Sequence, residues 1–124
     1  MTQVPVISIV DDDEFVRDAT KELVRSLGYD TATFASAEEF LISNRIDDTA
    51  CLITDLQMPG MSGLELQSWL LARGCRLPII FMTAFPEAPA RAQALAAGAL
   101  GFFSKPLDDE VLVHCLYQAV SRTA

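Results

Sequence analysis

Four short apolar runs in this chain end on residues that can do polar chemistry. Val4–Val10 runs into Asp11 and Asp12, Ala50–Thr54 into Asp55, Leu77–Met82 into Thr83, and Leu100–Phe103 into Ser104, Lys105 and Pro106. Carboxylates, a hydroxyl and an ammonium are the parts of a phosphoryl-transfer site. An aspartate can act as nucleophile and form an acyl phosphate. A metal ion and an ammonium neutralise phosphoryl oxygens and a hydroxyl donates to one, so positioning and electrostatics supply most of the catalysis.

Such residues act together only if the fold brings them to one place. Residues 14–27 read as a helix, with Phe15, Ala19, Leu23 and Leu27 at four-residue spacing and Gly28 as its stop. Tyr29–Phe34 alternates like a short strand, and Ser36-Ala-Glu-Glu39 has the spacing of a capping box that opens a helix through Phe40, Leu41 and Ile42. The turn-rich stretch Gln57–Gly63 leads into a second box, Ser62-x-x-Glu65, and a helix through Leu66, Trp69 and Leu70 to Gly74. Glu87–Ala97 is an alanine-rich fourth helix, and Asp108–Val120 is the fifth. Pro5–Val10, Tyr29–Phe34, Ala50–Thr54, Leu77–Met82 and Leu100–Phe103 are then the five strands. The pattern is (βα)5, an α/β doubly wound parallel sheet covered on both faces, a flavodoxin-like three-layer sandwich. The common order for five such strands is 2-1-3-4-5, with a ligand crevice at the switch point between strands 1 and 3, although other orders also satisfy the pattern.

In that order the carboxyl ends of strands 1 and 3 are neighbours, so Asp11, Asp12 and Asp55 converge, with Thr83 and Lys105 alongside. Alone, the run Asp11-Asp12-Asp13-Glu14 reads as a solvated loop or helix start. Placed at the switch point it reads differently. Two carboxylates about 4 Å apart repel by roughly 4 kcal/mol at an effective dielectric near 20, so three call for a cation. Oxygen ligands without His or Cys favour Mg²⁺, with Mn²⁺ as the alternative. The calcium-loop spacing is missing, and so is a Gly-rich P-loop ending in Lys-Ser/Thr.

Composition narrows the partners. The 124 residues read as one domain, 1–124, with 51% hydrophobic and 21% charged residues, an ordinary globular balance. Nine basic against seventeen acidic residues give a net charge of −8, which argues against gripping nucleic acid or an anionic membrane. Cys51, Cys75 and Cys115 lack CxxC spacing and read as free thiols in a reducing compartment. His114 has no companion ligands. With no signal-peptide pattern and no spanning run, a soluble cytoplasmic protein is expected.

Val10-Asp11-Asp12, Asp55-Leu-Gln-Met-Pro-Gly60 with Gly63, Thr83-Ala84 and Lys105-Pro106 together resemble the signature of response-regulator receiver domains (CheY-like) of two-component signalling. The resemblance runs from about residue 4 to 121. It implies that Asp55 is the phosphoacceptor, loaded by a sensor histidine kinase or a phosphotransfer protein. It implies that Asp11, Asp12, Asp55 and the backbone carbonyl of Gln57 hold Mg²⁺, that Thr83 and Lys105 bind the phosphoryl group, and that the Lys105–Pro106 bond is cis. Phe102 falls at the place of a rotating aromatic, and small Ala84 leaves space for it to swing inward. The face of the fourth helix, fifth strand and fifth helix is then the switching surface, open also to a homodimer. Asp13 is an extra acid to which the resemblance gives no role. Pro86 and Pro89 stiffen the loop after the fourth strand, and the alanine-rich helix behind it reads as either weakly held or closely packed.

Two other functions compete with the switch. A phosphatase resembling the haloacid dehalogenase family needs an acid two residues after its nucleophile; Gln57 stands there. A degenerate receiver serving only as an interaction module usually lacks an acid or the Lys, and all are present here. No separate substrate turnover is expected. With no helix-turn-helix segment and no basic recognition helix, the output is either stand-alone protein–protein signalling or control of a DNA-binding domain that is not in these residues.

Overall fold

The computed structural model describes residues 4–123. Five strands, β1 (Val6–Val10), β2 (Asp30–Phe34), β3 (Thr49–Asp55), β4 (Ile79–Thr83) and β5 (Gly101–Ser104), alternate with α1 (Glu14–Ser26), α2 (Ala37–Ile42), α3 (Gly63–Ala72), α4 (Ala88–Ala96) and α5 (Asp109–Thr123). The sheet is wholly parallel with order β2-β1-β3-β4-β5, the common order among those the sequence pattern allows.

Alternation along the strands builds two cores. Ile7, Ile9, Cys51, Ile53, Ile80 and Met82 face one side, where α1 supplies Val24 and α5 supplies Leu112, Leu116 and Ala119. Val10, Leu52 and Phe81 face the other, under Phe40 of α2, Leu66 and Leu70 of α3 and Ala94 of α4. At roughly 1.5–3 kcal/mol per fully buried large aliphatic or aromatic side chain, these two layers are the main force holding the edge of the sheet in place.

Helix ends follow the polar punctuation. Ser62 and Glu65 form the full reciprocal box at α3. At α2 only half of it forms: Ser36 Oγ accepts from Glu39 N–H, while the Glu39 carboxylate accepts from Ala35 N–H at 3.5 Å. The stripe expected on α1 is rotated. Its buried residues are Thr20 and Val24, with Val16, Leu23 and Leu27 packed alongside, whereas Phe15 is 85% exposed. Among the described residues no helix is long and apolar enough to cross a membrane, and Cys51, Cys75 and Cys115 are free.

Candidate functional site

The backbone ladder continues one step past three strand ends and so places the reactive side chains. Asp11 N–H donates to Phe34 O at 3.1 Å, Leu56 N–H to Met82 O at 3.0 Å, and Lys105 N–H to Thr83 O at 2.8 Å. Asp55, the last residue of β3, lies opposite Met82, and Thr83 lies opposite Ser104. Asp11, Asp55 and Thr83 are all buried, while Asp12 is exposed and Lys105 half-buried.

Asp11, Asp12 and Asp55 can each offer a carboxylate oxygen such that the three lie within 4.8 Å of one another. Lys105 Nζ sits between the two buried acids, 3.0 Å from Asp11 Oδ2 and 3.1 Å from Asp55 Oδ2. Only the Asp55 contact has hydrogen-bond geometry; among the described residues, buried Asp11 Oδ2 has an ion pair with Lys105 but no hydrogen-bond partner. Its ion pair with Lys105 is shared with Asp55, so neither buried carboxylate has an ammonium to itself. One ammonium against three carboxylates leaves negative charge uncompensated, and the donors are all hard oxygens. The residues fit a small divalent cation.

Burial raises the pKa of Asp55 above the ordinary carboxylate value, and the charge of Asp11 adds to that; the hydrogen bond and charge of Lys105 and the amide of Gln57 oppose it without cancelling it. For Lys105, burial alone would favour the neutral amine, but its close contacts with the carboxylates of Asp11 and Asp55 prevail and hold the ammonium above its usual value. The metal-free cluster is thus an electrostatic compromise.

Gln57 is exposed, and its N–H donates to Asp55 Oδ1 at 3.4 Å. The Thr83 hydroxyl accepts from Phe85 N–H at 3.2 Å, which leaves its own proton to donate. Ala84 is exposed, and the Lys105–Pro106 bond is cis. Phe102 already lies inside, 6% exposed, its ring centroid 6.2 Å from that of its cross-strand partner Phe81. An inward swing therefore has no outward starting point in this structure. Gly63 is forced by space: a Cβ there would strike the Asp55 carbonyl and crowd Leu56 Cα and the Phe81 ring.

Several supporting residues escaped the sequence reading. Asp13 is the N-cap of α1, accepting from Phe15 and Val16 N–H, and its own N–H donates to Asp11 Oδ1 at 2.8 Å. An Asp just before a helix is a recognised cap signal, so this role was legible. Arg17 Nη1 donates to Asp11 O at 2.7 Å, and Glu38 Oε2 accepts from Met61 N–H at 3.0 Å, tying α2 to the loop after Asp55. Beside the acids a groove of about 600 Å³ runs between Phe15, Ala19 and Leu23 of α1 and Lys105, Pro106 and Leu107.

A family profile described as the response regulator receiver domain matches residues 7–117. The chain belongs to this family. Over 115 residues the receiver is 41% identical to the response regulator protein TodT of Pseudomonas putida, covering 93% of this chain and 51% of that protein. It is 36% identical to the transcriptional regulatory protein FixJ of Azorhizobium caulinodans, covering 95% and 56%. A response regulator receiver protein from Pseudoalteromonas atlantica superposes with a TM-score of 0.89 at 33% identity, over 97% of this chain and the whole of that one. The receiver thus spans about half the length of the curated relatives it matches.

Proposed function

We propose that this receiver is a phosphorylation switch in which Asp55 accepts a phosphoryl group from a phosphohistidine donor with Mg²⁺ bound at Asp11, Asp12 and Asp55. The observation that carries the reading is the cluster of three carboxylates at the sheet edge, in which buried Asp11 and Asp55 share the single ammonium of Lys105. Bound Mg²⁺, or Mn²⁺ in its place, would supply charge neutralisation for the phosphoryl oxygens. The backbone carbonyl of Gln57 is the proposed fourth protein ligand.

An oxygen of the Asp55 carboxylate attacks phosphorus; the phosphorus–nitrogen bond to the donor imidazole breaks, and its electron pair leaves with the imidazole. Lys105 then exchanges its contact with Asp55 Oδ2 for one with a phosphoryl oxygen, and the Thr83 hydroxyl donates to another. Moving Thr83 releases Phe85 N–H and so disturbs the exposed segment before α4. The phosphoryl group shifts the population because it contacts the rearranged Thr83 better than the resting one. Phe102, already inside, serves to hold Phe81 and β5 and does not need to swing. The α4–β5–α5 face is the proposed output surface, for a downstream protein or a second copy.

The donor is a sensor histidine kinase or phosphotransfer protein, and the groove beside Lys105, with Phe15 standing free at its wall, suits a protein that must bring a histidine to Asp55. Phosphoryl gain and loss at Asp55 is the whole chemistry, with no separate substrate. Transcriptional control is the proposed output, favoured by the relative FixJ, which is called a transcriptional regulatory protein. A cytoplasmic location follows from this role.

The test is incubation with acetyl phosphate and Mg²⁺ followed by intact mass, beside Asp55→Asn and a chelated control. Gain of one base-labile phosphoryl group, absent in both controls, is expected. No gain from acetyl phosphate or from a phosphorylated histidine phosphotransfer protein would leave the interaction-module reading.

A further inference from the structure

We propose that Arg17 is a positioning residue for Asp11, fixing the orientation in which that carboxylate meets a divalent cation. The inference rests on the magnesium reading above and goes beyond it to a residue of α1 outside the acidic cluster.

Asp11 is held at three points. Its N–H continues the sheet to Phe34 O, its carbonyl accepts from Arg17 Nη1 at 2.7 Å, and its Oδ1 accepts from Asp13 N–H at 2.8 Å. Among the described residues Oδ2 has no hydrogen bond, and it is the oxygen ion-paired with Lys105. The registers of β1 end at Val10 on both sides, so the Asp11 carbonyl lies just past the paired ladder. Arg17 supplies the donor that the sheet does not.

The choice of partner points to positioning. In a chain with seventeen acids, Arg17 makes no ion pair within 4.0 Å among the described residues and donates to a neutral backbone oxygen. A charged donor makes that bond stronger than a neutral one would. With carbonyl and Oδ1 both pinned, the Asp11 side chain cannot rotate without breaking the Asp13 bond, and Oδ2 stays aimed into the cluster.

Two effects of the guanidinium oppose each other. Its charge repels a cation, so repulsion alone would make Arg17→Met bind Mg²⁺ more tightly. Removing a group that orients a metal ligand typically costs about 10–100-fold in affinity. Positioning is proposed to outweigh repulsion, and the sign of the change is the test.

Mg²⁺ binding is measured by calorimetry on the metal-free protein, on Arg17→Met, which keeps the aliphatic stem, and on Arg17→Lys, which keeps a cationic donor. Melting temperatures in chelator accompany each. Arg17→Met is expected to weaken Mg²⁺ about tenfold with a melting point within a few degrees of the parent, and Arg17→Lys to recover most of the loss. In an Asp11→Asn background Arg17→Met should cost nothing further, because the group it positions is gone. Parental binding with Arg17→Met unchanged or tighter overturns this inference alone. No Mg²⁺ binding by the parent overturns the magnesium reading and this inference with it. If Arg17→Met does not fold, Arg17→Gln replaces it with the same expectations.

Discussion

The edge that carries Asp11, Asp55 and Lys105 and the segment from Ala84 through α4 adjoin on the same sheet, yet they are held by different means. At the edge, Asp11 has bonds on its amide, carbonyl and carboxylate, and Lys105 bridges two buried acids. Residues 84–89 are all exposed, α4 buries only Ala94, and its N-cap Glu87 makes no side-chain cap bond. One region is over-determined and charged; the other is lightly held and rich in alanine. A switch needs this pairing: chemistry requires fixed geometry, whereas a response requires an element whose opening free energy is small. Thr83 joins them, with a buried hydroxyl on the edge and a bond to Phe85 in the segment.

Asp55→Asn breaks the edge most completely. Phosphoryl gain is expected to vanish in the mass measurement, while the metal-free fold becomes more stable. Asp55 has a folded pKa raised above its unfolded value, so its contribution to stability is present below the unfolded pKa and lost as pH rises through the folded one. Wild type and Asp55→Asn should therefore melt together at pH 3, and the variant should melt higher by pH 7, by a few degrees for each kcal/mol removed. Saturating Mg²⁺ should close the gap. A variant that melts lower at pH 7 in chelator would refute the electrostatic account.

Gly63→Ala tests the same edge by volume. The added methyl meets the Asp55 carbonyl and Leu56 Cα, both backbone, so neither can turn aside. A loss of about 1–3 kcal/mol in urea unfolding is expected, together with impaired phosphorylation as β3 is displaced.

That much of the edge was legible has a physical cause. In a parallel sheet every strand delivers its last residue to one side, so polar residues closing apolar runs converge whatever the loops do. The four-residue stripe on α1 failed because an α-helix turns about 100° per residue. Steps of four drift by about 40°, and Phe15 ends far around the helix from Leu27. Arg17 and Glu38 left no trace because each bonds a backbone group, Asp11 O or Met61 N–H, and sequence spacing says nothing about such partners. The alanine-rich α4 was ambiguous for the same reason: its tie to α3 is a bond from Gln67 Nε2 to Ala94 O at 3.0 Å.

Gln67→Leu removes that tie. The Ala94 carbonyl keeps the bond from Ala99 N–H, so the expected cost is near 1 kcal/mol, not the larger penalty of an orphaned acceptor. Hydrogen exchange should quicken across α4 and leave β1 and β3 unchanged. Equal quickening everywhere would mean that α4 opens only with the whole molecule, and the two regions would not differ in the way argued.

The smallest effect works in the opposite direction. Glu87 occupies the N-cap of α4 with extended backbone, and Pro89 follows in the first turn, so the start of the helix is pre-shaped but its amides lack a side-chain acceptor. Glu87→Ser supplies a short acceptor and should stabilise the protein by about 0.5–1 kcal/mol. Exchange in the first turn of α4 should slow several-fold, with Mg²⁺ affinity unchanged because no ligand is touched. If the ease with which α4 opens sets the response, the capped variant should take up phosphoryl groups like the parent. It should then show a smaller phosphorylation-dependent change in α4 exchange. A full-sized change would place the responding element elsewhere on the α4–β5–α5 face and leave the light hold on α4 without a role in switching.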